Sequence, residues 1–271
     1  MTQHSTNGDG SQLEGQEKNQ LIRQRFGAVA GAYVGSTVHA QGPDLPWLVE
    51  AAALDGSETV VDLATGAGHA AYALAPFARE VIALDFTVPM LEASEKRAQE
   101  LNLNNIHFVE GDAHALPLMN QSVEVLVCRL AAHHFTDVAL AVREWARVLK
   151  PGGKLLLIDS IGAEDPVVDE YVNEIEVLRD PSHVRNHSVS AWLDLLKQAG
   201  IEGRHQRTWG IHMDVPTWTQ RQRTPAPNVE RILHLFATAT PEARSYLNIE
   251  QDNDGVYTFD LPAALITGIR V

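Results

Sequence analysis

The segment Val60-Val61-Asp62-Leu63-Ala64-Thr65-Gly66-Ala67-Gly68-His69-Ala70-Ala71 carries an apolar strand into a Gly-x-Gly-x-x-Ala turn that opens a helix. Glycines at such a turn let the backbone approach a ligand closely, while the helix N-terminus presents unpaired amides. A tight turn with no ligand uses the same residues, so the segment alone is weak. Two further acids add weight to it. Asp85 stands seventeen residues past Gly68, at the end of a second apolar run, where ribose hydroxyls are usually gripped. Asp112 follows a third run, in Glu110-Gly111-Asp112-Ala113. Each acid singly reads equally well as a turn residue; three at successive strand ends point together to a ribose-bearing cofactor.

Two cofactor classes fit, and charge separates them. A dinucleotide would set its pyrophosphate against the glycine turn, close to the Asp62 carboxylate, which would repel it. S-adenosylmethionine has no phosphate, and its sulfonium and ammonium outweigh its carboxylate, so acids near the turn are acceptable. Asp112 is suited to accept a hydrogen bond from the exocyclic amine of adenine.

These residues resemble the class I S-adenosylmethionine-dependent methyltransferases. The likeness rests on Asp62-x-x-x-Gly66-x-Gly68, Asp85, Gly111-Asp112-Ala113 and Arg147-Val148-Leu149-Lys150-Pro151-Gly152-Gly153. Within that family the chain is most similar to the ubiquinone/menaquinone C-methyltransferase type. Tyr33 with Ser36, His39 and Gly42, the run Arg129 to Phe135, and Asp180-Pro181-Ser182-His183-Val184-Arg185 carry that likeness. The resemblance implies that Ala64, Gly66 and Gly68 contact the methionine part of S-adenosyl-L-methionine while Asp62 holds the turn. It implies that Asp85 takes the ribose, that Phe86 and Met90 flank adenine, and that Asp112 with Ala113 reads its edge. Arg129 and Leu130 would lie near the methyl donor, and Tyr33 could close over the sulfonium, as an aromatic face attracts a cation. Where quinone-methylating enzymes have their own signature after the fourth strand, this chain has Arg129 to Phe135, which argues against a quinone acceptor.

Methyl transfer needs alignment above all, worth about 7–11 kcal/mol, against roughly 3–5 kcal/mol from a general base. The base candidates are His133, His134 and His183, which titrate near neutrality when unperturbed. A metal reading of the same histidines with Asp180 is disfavoured, since neither adjacent histidines nor His183-x-x-x-His187 on a loop is a dependable ligand pattern. Arg207, Trp209, Trp218, Arg221 and Arg223 form a cluster suited to an acidic or aromatic substrate, or simply to packing.

These residues must be held by the elements around them. Apolar runs at 59–63, 80–84, 106–110, 123–128 and 154–159 alternate with helical patterns at 69–78, 89–101 and 138–149, which is a βαβ series and hence a parallel sheet covered on both faces. Thr87 and Asp137 are candidate helix caps, and Lys150 to Gly153 is a turn. Helices are expected at 165–178 and 191–199, a strand at 204–213, a Pro-interrupted helical region at 216–248, and two closing strands at 255–261 and 263–270. The fold class is therefore α/β. The family resemblance implies a Rossmann-like class I methyltransferase fold, with a seven-stranded, mostly parallel sheet of order 3-2-1-4-5-7-6 and an N-terminal helical lid. The expected organisation is a tail over residues 1–20 and one domain over 21–271, with lid helices at 21–54, a cofactor core at 55–160 and a substrate side at 161–271.

Composition narrows the partners. Of 271 residues 45% are hydrophobic and 21% charged, so the chain can bury a core. The net charge of −14 disfavours nucleic acid and anionic membranes. A single cysteine, Cys128, permits no intrachain disulfide and suits the cytoplasm, and no run is long and apolar enough to span a membrane. The expected activity is methyl transfer to a small molecule, hydrophobic or not, at oxygen or carbon, by a monomer or homodimer. An NAD-dependent oxidoreductase and a catalytically silent S-adenosylmethionine-binding module are the alternatives.

Overall fold

The computed structural model describes Lys18, residues 20–23 and residues 42–271. Tyr33, Ser36 and His39, together with most of the expected tail and first lid helix, lie outside them. In chain order the elements are α1 (Asp44–Ala52), β1 (Thr59–Leu63), α2 (His69–Leu74), β2 (Glu80–Asp85), α3 (Val88–Glu100), β3 (Ile106–Glu110), β4 (Val123–Arg129), α4 (Val138–Val148) and β5 (Leu149–Ser160). There follow α5 (Pro166–Arg179), α6 (Val189–Gln198), β6 (Ile201–Asp214), α7 (Val215–Arg221), α8 (Ala226–Ala237), α9 (Pro241–Tyr246), β7 (Glu250–Gln251) and β8 (Tyr257–Arg270).

One sheet results, ordered β3-β2-β1-β4-β5-β8-β6, with the two-residue β7 added to β8. The first five strands are parallel and β8 is antiparallel to its neighbours. Alternation along the strands feeds two cores. Val61, Leu63, Leu126, Cys128, Leu155 and Leu157 face α4 and α6, where Trp145 stacks on Trp192 at 6.2 Å. Val60, Val81, Val125, Val127, Leu156 and Ile158 face α1 and α2. Asp137 starts α4 by accepting the Leu140 amide at 2.8 Å. Thr87 precedes α3 without capping it; Asp85 accepts its amide at 2.9 Å.

Three expected boundaries differ. Lys150 to Gly153 does not separate helix from strand but is a bulge within β5, which already pairs at Leu149 with Val123 and resumes at Lys154 with Val125. The two closing strands are one. Pro262 sits inside β8 because its carbonyl, accepting from Ile161, faces the end of β5; the amide it lacks would point to the same side, where β5 pairing has stopped. The short strand β7 had no apolar run to announce it.

Beyond that point β6 and β8 continue together as a ribbon, from Gly210 opposite Pro262 to Asp214 opposite Thr258. The ribbon, α5, α7, α8 and α9 share a third core of their own, centred on Trp218, Phe236 and Phe259.

Candidate functional site

The order of strands reverses between β1 and β4, and at such a switch point the loops leave the sheet in opposite directions and open a crevice. A cavity of about 760 Å³ occupies it. Its wall includes Asp62, Ala64, Gly66, Asp85, Phe86, Met90, Asp112, Ala113, Arg129, Leu130, His133 and His134. Gly68 and His183 are not on that wall.

At the cofactor end, Asp62 is buried and its Oδ2 accepts both the Thr65 hydroxyl (2.6 Å) and the Ala71 amide (2.9 Å), tying the turn to α2. Burial pushes its carboxyl up to about 6, against these donors and Arg129. Ala64 and Gly66 adopt φ of +52° and +53°. Asp85 clamps the same turn, Oδ2 accepting from the Gly66 amide at 2.9 Å, and burial raises its carboxyl too. Asp112 accepts the amide and ring Nδ1 of His114 at 2.8 and 2.7 Å, and the His114 hydrogen bond holds it below the usual carboxylate range despite partial burial. Arg23 lies over the Phe86 ring at 5.1 Å.

Gly68, with φ of +82°, serves packing. A Cβ there would stand 2.5 Å from the Tyr72 ring and closer still to the buried Ser94 hydroxyl. Gly68→Ala should therefore lose about 1–3 kcal/mol of stability, read by urea unfolding; an unchanged midpoint would contradict this account of the turn.

At the other end, the 3-10 turn Ala132–His134 brings the histidines together. The Asp159 carboxylate accepts the His133 amide at 2.9 Å and lies 2.6 Å from its Nδ1. Burial opposes charge on His133, but Asp159 overcomes it and holds the imidazole above its ordinary value. His134 points Nδ1 at the Ser182 carbonyl, 3.0 Å away, and burial followed by its neighbour His133 pushes it down to about 3. His183 is buried behind them, stacked 5.6 Å from His133, its Nε2 3.1 Å from Asn173 Oδ1; burial pushes it down to about 2. Of the three, His183 is thus a support of the wall.

Arg129, expected near the methyl donor, grips Asp44 on α1 through two bonds of 2.5 and 3.1 Å, each side chain 6% exposed. Of the arginine and tryptophan cluster, Trp209, Arg221 and Arg223 reach the wall, Trp218 is core, and Arg207 stacks on Trp47 at 4.1 Å. Sequence reasoning passed over Asp44, His114, Asp159 and Glu176. Asp159 alone carried a usable signal, since it ends the apolar run 154–159 as Asp85 follows the run 80–84. Among the described residues, no group of three or more His, Cys, Asp or Glu is placed to hold a metal ion, and no helix is long and apolar enough to cross a membrane.

The cofactor-end wall fits a cation without phosphate: Asp62 and Asp85 hold a glycine turn whose Gly66 leaves room for close approach, and Asp112 shares the wall. Comparison with known proteins agrees. Residues 61–157 match the methyltransferase domain family. The uncharacterized methyltransferase YcgJ of Bacillus subtilis is 39% identical over 246 residues, covering 90% of this chain and 97% of its own. The YcgJ crystal structure superposes with a TM-score of 0.81 over 83% of this chain and 97% of its own. A demethylmenaquinone methyltransferase of Deinococcus radiodurans is 33% identical over 150 residues, 53% of this chain and 62% of its own. The chain belongs to the class I S-adenosylmethionine-dependent methyltransferases, in the group that includes the ubiquinone/menaquinone C-methyltransferases. It is an S-adenosylmethionine-dependent enzyme, which decides between the two cofactor classes its strand ends admit.

Proposed function

We propose that the protein methylates a small molecule at oxygen or carbon, with His133 as the general base held ready by Asp159. The observation carrying this is His133, which is paired with Asp159 and stands on the wall of the same cavity as the glycine turn. When bound, S-adenosylmethionine supplies a methyl group on a sulfonium. Ala64 and Gly66 would hold its methionine part, Asp85 its ribose hydroxyls, Phe86 and Met90 the faces of adenine, and Asp112 with Ala113 the adenine edge. His133 directs Nδ1 to Asp159, which fixes the ring and leaves Nε2 for an acceptor proton. His134 and His183, pushed far below neutrality, are poor bases at pH 7. Phe135, Met213 and Leu261 give the acceptor end apolar walls that exclude water. The similarity to a demethylmenaquinone methyltransferase makes a quinol one member of any acceptor panel.

Isothermal titration tests the assignment. S-adenosylmethionine and S-adenosylhomocysteine should bind in the micromolar range and NAD should not. Asp85→Ala should weaken both at least tenfold, about 1.4 kcal/mol. A folded protein that binds neither would refute the proposal.

A further inference from the structure

Glu176, on α5, belongs to the cavity wall yet is only 3% exposed. Among the described residues its Oε1 has no hydrogen-bond partner, while Oε2 lies 3.7 Å from Arg179 Nη1. Buried polar atoms are nearly always satisfied, and an unmade bond there is costly, so an orphaned oxygen on a cavity wall asks for a ligand. Burial, with Asp180 and Asp159 adding to it, pushes the carboxyl up against Arg179 and His133, favouring the neutral acid. With Oε2 turned to Arg179, Oε1 is the oxygen left for a ligand. Glu176 and His133 are near enough that each charge shifts the other.

We infer that Glu176 donates a hydrogen bond from Oε1 to a carbonyl oxygen of the methyl acceptor, and that the acceptor is a hydroxyl conjugated with a carbonyl, as in an ortho-hydroxyaryl ketone or an enolised 1,3-dicarbonyl. The inference rests on the methyl-transfer assignment above. As His133 takes the hydroxyl proton, negative charge spreads through the conjugated unit to the carbonyl oxygen, and the Glu176 hydrogen bond strengthens as that charge develops. The oxygen or carbon electron pair then forms the new bond to the methyl group while the sulfur–carbon pair stays on sulfur. A phenol without the carbonyl would leave the buried donor unpaired, the situation in which binding sites discriminate most sharply.

The test is equilibrium binding to the S-adenosylhomocysteine-loaded protein of two probes matched in size, 2-acetylphenol and 2-ethylphenol. The ketone should bind at least tenfold tighter. Glu176→Leu should erase that ratio, and Glu176→Gln, whose amide still donates, should keep most of it. Equal affinities for the two probes on the parent protein, or a ratio that survives Glu176→Leu, would overturn the inference. The parent-protein ratio and Glu176→Gln keep the test decisive if the leucine variant does not fold. Failure of S-adenosylhomocysteine itself to bind would overturn the underlying assignment instead, so the two failures read differently.

Discussion

Arg129→Leu should lose about 3–5 kcal/mol of stability, because it strands the Asp44 carboxylate without its counter-charge in a site almost closed to solvent. The pair joins the end of β4 to the first turn of α1, so its rupture also frees α1 from the edge of the cavity. The reverse single variant, Asp44→Leu, should cost less, because Arg129 keeps the attraction of the Asp62 carboxylate. The double variant should recover much of the loss, since removing both ions removes both desolvation costs together. Urea unfolding of the four proteins measures the coupling. A double variant as unstable as the sum of the singles would show that the ion pair does not tie α1 to β4, and that packing around each side chain does.

His133→Gln should lower kcat by 10²- to 10⁴-fold on an acceptor whose hydroxyl must be deprotonated, the range of a positioned general base, while S-adenosylhomocysteine affinity stays put. The pH profile carries the sharper signature. A base works unprotonated, and Asp159 holds the His133 ring above its ordinary value, so kcat/KM should climb with pH and level off only above about 6.5. Asp159→Asn removes the largest attraction opposing burial, so the same limb should move to lower pH. Asp180 also favours the charged ring, so the limb should move without vanishing. The stability sign is fixed by the same shift: with the folded value raised, the charged His133–Asp159 pair contributes fully below about 6.5 and fades as pH rises through the folded value. A limb that stays in place in Asp159→Asn would separate Asp159 from the chemistry.

The cofactor half of this architecture was legible because its physics is local. Strands buried on both faces advertise themselves as apolar runs, and Asp62 and Asp85 sit at fixed places relative to those runs, so both stand out in the sequence as strand-end acids. What stayed hidden depends on distant segments meeting. Asp44 and Arg129 are 85 positions apart and His133 and Asp159 are 26 apart. Nothing in either sequence neighbourhood announces the pairing. Glu176 reads as one more charge on an acidic helix until the third core turns that helix inward. His183 shows the converse: adjacent to a distinctive Asp-Pro-Ser, it reads as a base candidate on a loop, whereas the chain folds it behind His133.

The third core, held out on the ribbon of β6 and β8, shares no buried residue with the two cores that flank the parallel sheet. Substitutions in α7, α8 and α9 can therefore accumulate without disturbing the glycine turn or Asp62, Asp85 and Asp112. A lineage built on this plan is free to exchange one acceptor for another while its methyl donor stays the same, so kinship among such enzymes is written in the parallel strands and their individuality in the ribbon.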